Sequence, residues 1–226
     1  RMRFVLSWYY PNQCRYWGNP PATHTQWHNY YATQWPGALA VAQEALLRYD
    51  ELYEKTRVFH DALFSCTMPK ETLDAVSANL SILKSPTVLR LEDGSFYGWE
   101  GCMAKRGSCE GSCTHVWNYA YALPFLFPEL ERSMRELDYT YNLKPDGGMP
   151  FRLQLPLGSP PSDFRPCVDG QMGGVMKMYR EWKISGDTAW LKRWWPAVKQ
   201  SLAYAWSPKN PDHWDPEQSG LITGRQ

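Results

Sequence analysis

The chain has 226 residues, with 24 lysines and arginines against 23 aspartates and glutamates, a balance that leaves no net field to attract nucleic acid or an anionic membrane. This length allows one sizeable core or two small ones, and the apolar runs fall far short of the roughly 20 residues a membrane helix needs. Six cysteines are too sparse for a disulfide scaffold and nothing reads as a signal peptide, so a cytoplasmic protein is expected.

Residues 1–9 alternate, with Met2, Phe4, Leu6 and Trp8 on one face, the pattern of a half-buried strand. Residues 11–36, rich in Pro, Asn, Gly and His, read as a long loop. The chain opens on Arg1 in mid-pattern and without an initiator methionine, so a piece of something longer is expected. Residues 1–35 would end a β domain, and residues 36–226 would begin a helical one.

Over 36–65, Leu39, Ala42, Leu46, Tyr49, Tyr53 and Leu63 keep helical spacing. A second helix opens near Pro69, carries Leu73, Val76, Leu80 and Leu83 on one face and stops at Pro86, which predicts an antiparallel pair. Residues 87–91 and 95–99 flank Asp93-Gly94, a hairpin signal that would hold Glu100 at the mouth of a stiff support. The stretch 116–141 is helical by pattern but divided or kinked at Pro124 and Pro128, the latter followed by Glu129 and Glu131 as at a fresh helix start. Asp146-Gly147-Gly148 is a turn, and alternating Met149, Phe151, Leu153 and Leu155 follow as an extended arm. Asp169 or Gly170 opens a helix to about Ile184, and Ser185-Gly186-Asp187 closes it and caps the next, which runs to about Trp206. Long helices in pairs, with hairpins at the connections, predict a mainly α fold of toroid or solenoid type.

Three constellations can carry chemistry. Cys102, Cys109, Cys113 and His115 supply soft ligands without a C-x2-C knuckle, so zinc, a disulfide and reduced thiols packed in a loop all stay open. Glu100 and Glu110, each followed by glycine, are the kind of carboxylate pair that glycoside hydrolysis uses. Glu100 has the desolvated setting, among aromatics at a hairpin end, and Glu110 reads as a solvated loop acid. Asp163 and Asp169 are the third, with Asp169 most simply a helix N-cap. His60 and His213 read as structural, and no P-loop, dinucleotide glycine motif or serine elbow is present. The 12 tryptophans and 14 tyrosines suit either a core of large helices or a cleft whose rings stack on a ligand.

Several stretches, in order, carry a resemblance: RFVLSW, NYYATQW, DGSFYGWEG, YALPFLFPELERS, MYREWKISGD with WP eight residues on, and SGLI. They resemble glycoside hydrolase family 116, which includes non-lysosomal glucosylceramidases and bacterial β-glucosidases and β-xylosidases. The resemblance implies the last strand of an N-terminal β domain followed by the first part of an (α/α)6 barrel, and a retaining β-glycosidase without cofactor or resident metal. It implies Glu100, at Trp99-Glu100-Gly101, as the nucleophile, leaving Glu110 as backup. Trp99 stands where the family has leucine. The family's sugar-binding segment is replaced here by the cysteine-rich loop, with Thr114, His115 and Trp117 as the sugar contacts. Asp163 falls where a His-Asp pair binds glucose, with Ser162 in place of the histidine, and Asp169 aligns with an aspartate opening the same helix. The family's acid/base sits in a Thr-Tyr-Asp motif after the Gly-Leu-Ile segment, expected beyond Gln226. This chain alone is then expected to be inactive and to expose apolar surface to the remainder of its catalytic domain. The competing expectation is a non-catalytic structural or sugar-binding helical module whose cysteines hold zinc or a disulfide.

Overall fold

Asp93 and Gly94 make the turn they signal. Ser95 N–H donates to Asp93 Oδ1 at 2.9 Å and Leu91 N–H to Ser95 O at 2.9 Å, closing a hairpin of strands β3 (Val88–Arg90) and β4 (Phe96–Gly98) with Leu89 opposite Tyr97. This hairpin belongs to a computed structural model that describes residues 2, 4–14, 26–85, 87–98, 102–103, 106–107, 112–155 and 157–224, with the backbone alone given for 14, 26, 102–103 and 106–107. Seven α-helices and four two-stranded antiparallel sheets form among these residues, so the architecture is mainly α with small sheets inserted. No helix among them is long and apolar enough to cross a membrane.

The alternation at the N-terminus is real, but it does not build a strand. Residues 4–10 take no regular secondary structure, with Ser7 Oγ donating to Ala38 O and Tyr9 Oη to Trp35 O. The odd-numbered residues therefore face the protein, and Phe4 and Leu6, 83% and 78% exposed, face away. A period of two specifies two faces and not which of them finds a partner. The first ladder comes later, where β1 (Asn12–Cys14) pairs with β2 (Gln26–His28) inside the expected loop.

The helix expected over 36–65 divides into α1 (Ala38–Leu47) and α2 (Tyr49–Phe64) at Arg48, whose φ of −101° and ψ of 13° leave the helical region. The Arg48 guanidinium bridges the break, bonding Glu44 at 2.9 Å and Glu51 at 2.9 Å. Neither helix has a buried residue. Helix α3 (Lys70–Asn79) buries Leu73, and it faces α2 across an apolar groove of about 760 Å³ that α4 (Ala122–Leu126) also lines.

The divided stretch after residue 116 follows the prolines. A 3₁₀ turn (Val116–Tyr119) precedes α4, and Pro128 takes the first position of α5 (Pro128–Leu137), where its missing N–H costs nothing, with Glu129 and Glu131 against the positive end of the helix. Beyond the Asp146 turn, β8 (Arg152–Leu153) pairs with β7 (Ser112–Cys113). The arm thus brings the end of the cysteine-rich stretch into the core, and strands β5 (Cys102–Met103) and β6 (Arg106–Gly107) pair within that stretch.

Helix α6 (Val168–Ser185) ends at Gly186, whose φ of +68° lies in the left-handed region that glycine enters without strain. The Asp187 carboxylate then accepts from Trp190 N–H at 2.9 Å and caps α7 (Thr188–Ala203). Helices α5, α6 and α7 pack in succession. Met134, Leu137, Met178, Trp190 and Val198 are buried along them, and burying each such side chain contributes about 1.5–3 kcal/mol.

Candidate functional site

Two glycines of α6 decide what can lie against its first turns. A Cβ on Gly170 would stand 2.3 Å from Thr114 Oγ1, and one on Gly173 would stand 2.4 Å from Asn118 Oδ1, so only bare backbone admits the 114–118 segment there. The segment is fixed on its other side by β7 and by Thr114, whose N–H and Oγ1 both donate to Phe151 O at 3.1 Å. Asn118 Nδ2 donates to Asp169 O at 2.7 Å. His115 is thereby brought onto Asp169, and its Nδ1 hydrogen-bonds Asp169 Oδ2.

The other carboxylate oxygen, Oδ1, accepts from the Cys167 thiol at 2.5 Å. Asp169 lies in the first turn of α6 and not at the cap expected from the sequence, because the helix starts at Val168 with Cys167 as the flanking residue. Its carboxylate lies between His115 and Cys167. Burial raises the Asp169 carboxyl, but the bonds from Cys167 and His115 outweigh it and hold the group below the ordinary carboxylate range. Burial, joined by the bond to Asp169, pushes the Cys167 thiol up to about 12, so it is a protonated donor and no nucleophile in this state.

Rings frame one side of the pair. His115 lies 5.9 Å from Phe151 and 5.8 Å, edge-on, from Tyr119, and Phe151 meets Phe164 edge-on at 5.9 Å. Tyr119 and Phe164 are exposed, at 65% and 58%, so an imidazole, a carboxylate and aromatic faces open together toward solvent.

The sequence-predicted residues divide accordingly. Thr114, His115 and Asp169 come together. Trp117 is buried beneath the hairpin, because Gly98 leaves room for its ring, where a Cβ would stand 2.2 Å from Cζ2. Its indole lies edge-on to Phe96, and its Nε1 has no hydrogen-bond partner among the described residues. Asp163 is exposed on the bend before Phe164, and no described contact ties it to His115. Cys113 is buried with Phe96, Trp117, Leu123 and Met134, away from the His115–Asp169 pair. Glu100, Glu110, Cys109 and the side chain of Cys102 lie outside the described residues. The ends of their stretch are described: Gly98 N–H donates to Ser112 Oγ at 2.9 Å, joining β4 to β7 where residues 99–111 leave and return.

Cys167 escaped sequence reasoning, although one signal existed. Cys-x-Asp at a helix start places a thiol and a carboxylate side by side, but only the fold adds His115, 54 residues from Asp169.

A second group of polar side chains is interior. Glu131, Arg135 and Asp138 share one face of α5 and its extension. They meet Lys177 and Glu181 of α6, and all five are at most 4% exposed. Arg135 Nη1 bonds Asp138 at 2.6 Å, and Arg180 Nη2 bonds Glu131 at 2.9 Å and Glu181 at 2.7 Å. Lys177 Nζ has no hydrogen-bond partner among the described residues.

No protein-family model matches the chain, and no curated protein matches its sequence at a significant level.

Proposed function

We propose that the chain carries the nucleophile of a retaining β-glycosidase acting on β-glucosides, on part of an (α/α)6 barrel. The observation that supports this reading is the Gly98–Ser112 bond. It ties together the residues that flank the stretch bearing Glu100, and three residues after Ser112 the chain reaches His115, paired with Asp169 and flanked by rings. Sites for small polar ligands combine such apolar faces with a few placed polar groups. A pyranose offers both complements, hydroxyls for His115 and Asp169 and C–H faces for Tyr119 and Phe164.

In this reading Glu100 attacks the anomeric carbon. The bond from C1 to the carboxylate oxygen forms as the bond from C1 to the aglycone oxygen breaks, and that oxygen takes a proton from an acid roughly 5–5.5 Å from Glu100. Water then attacks C1, gives its proton to the same group and releases Glu100. The resemblance assigns the acid to a Thr-Tyr-Asp motif, which residues 1–226 do not contain.

The test is turnover of an aryl β-glucoside by the full-length protein. Glu100→Gln abolishes it and Glu110→Gln preserves it; the reverse outcome refutes the assignment. His115→Asn is expected to raise KM, since it removes the imidazole from Asp169 without touching the nucleophile.

A further inference from the structure

His115, Cys167 and Asp169 each offer one ligand atom, and these atoms all lie within 4.8 Å of one another. The donors differ in kind, a thiol sulfur, an imidazole nitrogen and a carboxylate oxygen, which is the mixture that borderline cations such as Zn2+ prefer over Mg2+ or Ca2+. In the hydrogen-bonded form, protons stand between these lone pairs: the thiol donates to one carboxylate oxygen and the imidazole pairs with the other. Zinc bonds of about 2.3 Å to sulfur and about 2.0–2.2 Å to nitrogen and oxygen set tetrahedral ligand atoms roughly 3.2–3.7 Å apart. Reaching that spacing lengthens the two contacts to Asp169, which lose their protons, and keeps all three atoms within the span they already occupy.

We propose that His115, Cys167 and Asp169 form a three-ligand site for a zinc-like divalent cation, with a fourth position open to water or a ligand. On binding, the thiol proton passes to solvent, the metal–sulfur bond forms, and the imidazole coordinates through its unprotonated nitrogen. Three further observations support the site. Cys167 is 1% exposed and approaches from the interior, whereas the His115 and Asp169 side chains are 20% and 36% exposed, so an ion enters from one side. The supports are already in place: Asn118 holds the backbone of Asp169, Thr114 is tied to Phe151, and Phe151 and Tyr119 flank the His115 ring. Cys113, which sequence spacing places nearest to His115, is not part of the group. The proposal does not depend on glycosidase activity.

The test uses the purified chain, stripped with a chelator and titrated with Co2+. One equivalent is expected to give a thiolate-to-cobalt charge-transfer band, and Zn2+ to bleach it. Cys167→Ser removes the band. His115→Gln and Asp169→Asn weaken binding by more than the ~10–100-fold that loss of an outer-shell partner costs a metal site. Cys66→Ser, with its exposed thiol, changes nothing. No band at stoichiometric cobalt overturns the proposal. So does a band that survives in Cys167→Ser, or one lost in Cys102→Ser or Cys109→Ser. Circular dichroism of each variant separates loss of ligand from loss of fold, and His115→Gln decides the matter if Cys167→Ser does not fold.

Discussion

A methyl group at Gly170 would meet Thr114 Oγ1 at 2.3 Å and the His115 backbone nitrogen at 3.2 Å. Neither can yield without breaking the Thr114–Phe151 bonds, so overpacking here costs about 1–3 kcal/mol, more than the ~1 kcal/mol that alanine gains over glycine in a helix. Gly170→Ala is therefore expected to destabilise the protein in urea unfolding and to move the His115 ring resonances. At Gly173 the obstacle is the end of the Asn118 side chain. Moving it breaks the Asn118 bond to Asp169 O, so Gly173→Ala should also destabilise the protein, by about 1–3 kcal/mol. Of the residues at this site, the sequence made Thr114, His115 and Asp169 visible as chemical types in a suggestive place. It could not show that glycine spacing in α6 brings them together, because glycine in a helix reads only as a weak helix former until its neighbour is known.

Helices α5 and α6 meet through a stripe of charges, Glu131, Arg135 and Asp138 against Lys177 and Glu181, a face that hydropathy assigns to solvent. The apolar stripe of α5, with Met134 and Leu137 buried, was legible, and the charged one was not, because burial of an ion depends on partners from another helix. Burial, with Arg135 as a like charge, lowers Lys177 from 10.5 to about 7, against the opposing pull of Glu131, Asp138 and Glu181. Burial raises Glu181 from 4.5 to about 7. The signs follow by linkage. Between pH 4.5 and 7 the folded chain keeps a proton on Glu181 that the unfolded chain has released, so stability falls as pH rises. Between pH 7 and 9 the unfolded chain binds a proton on Lys177 that the folded chain lacks, so stability rises, and above pH 9 the raised Cys167 thiol opposes the trend. A minimum near neutrality is expected, with a limb above it approaching ~1.4 kcal/mol per pH unit. Lys177→Met should flatten that limb, and urea midpoints from pH 7 to pH 9 measure it.

Across the described residues the buried members of the apolar clusters run from Leu89 to Trp214, and no cluster includes a residue of α1 or α2. Those helices rest on exposed ion pairs such as Arg57–Glu54 and Lys55–Glu51, worth about 0.2–0.5 kcal/mol each, while Leu47 stays 87% exposed. Hydrogen exchange should show amides of 38–64 opening well below the free energy that protects α5–α7; equal protection would mean that something covers them. Helical content was readable from periodicity, but the amphipathic face of α1 and α2 said nothing about what lies against it, since a moment records polarity and not contact. The bond between Gly98 and Ser112 has a different kind of consequence. It closes the base of the 99–111 segment, so the span above can change in length or composition while the frame below keeps its register. Doubling such a closed segment costs only ~0.6 kcal/mol of closure entropy. Foreign sequence placed between residues 103 and 112, which leaves Glu100 in the chain, is thus a low-cost way to retune what this scaffold recognises.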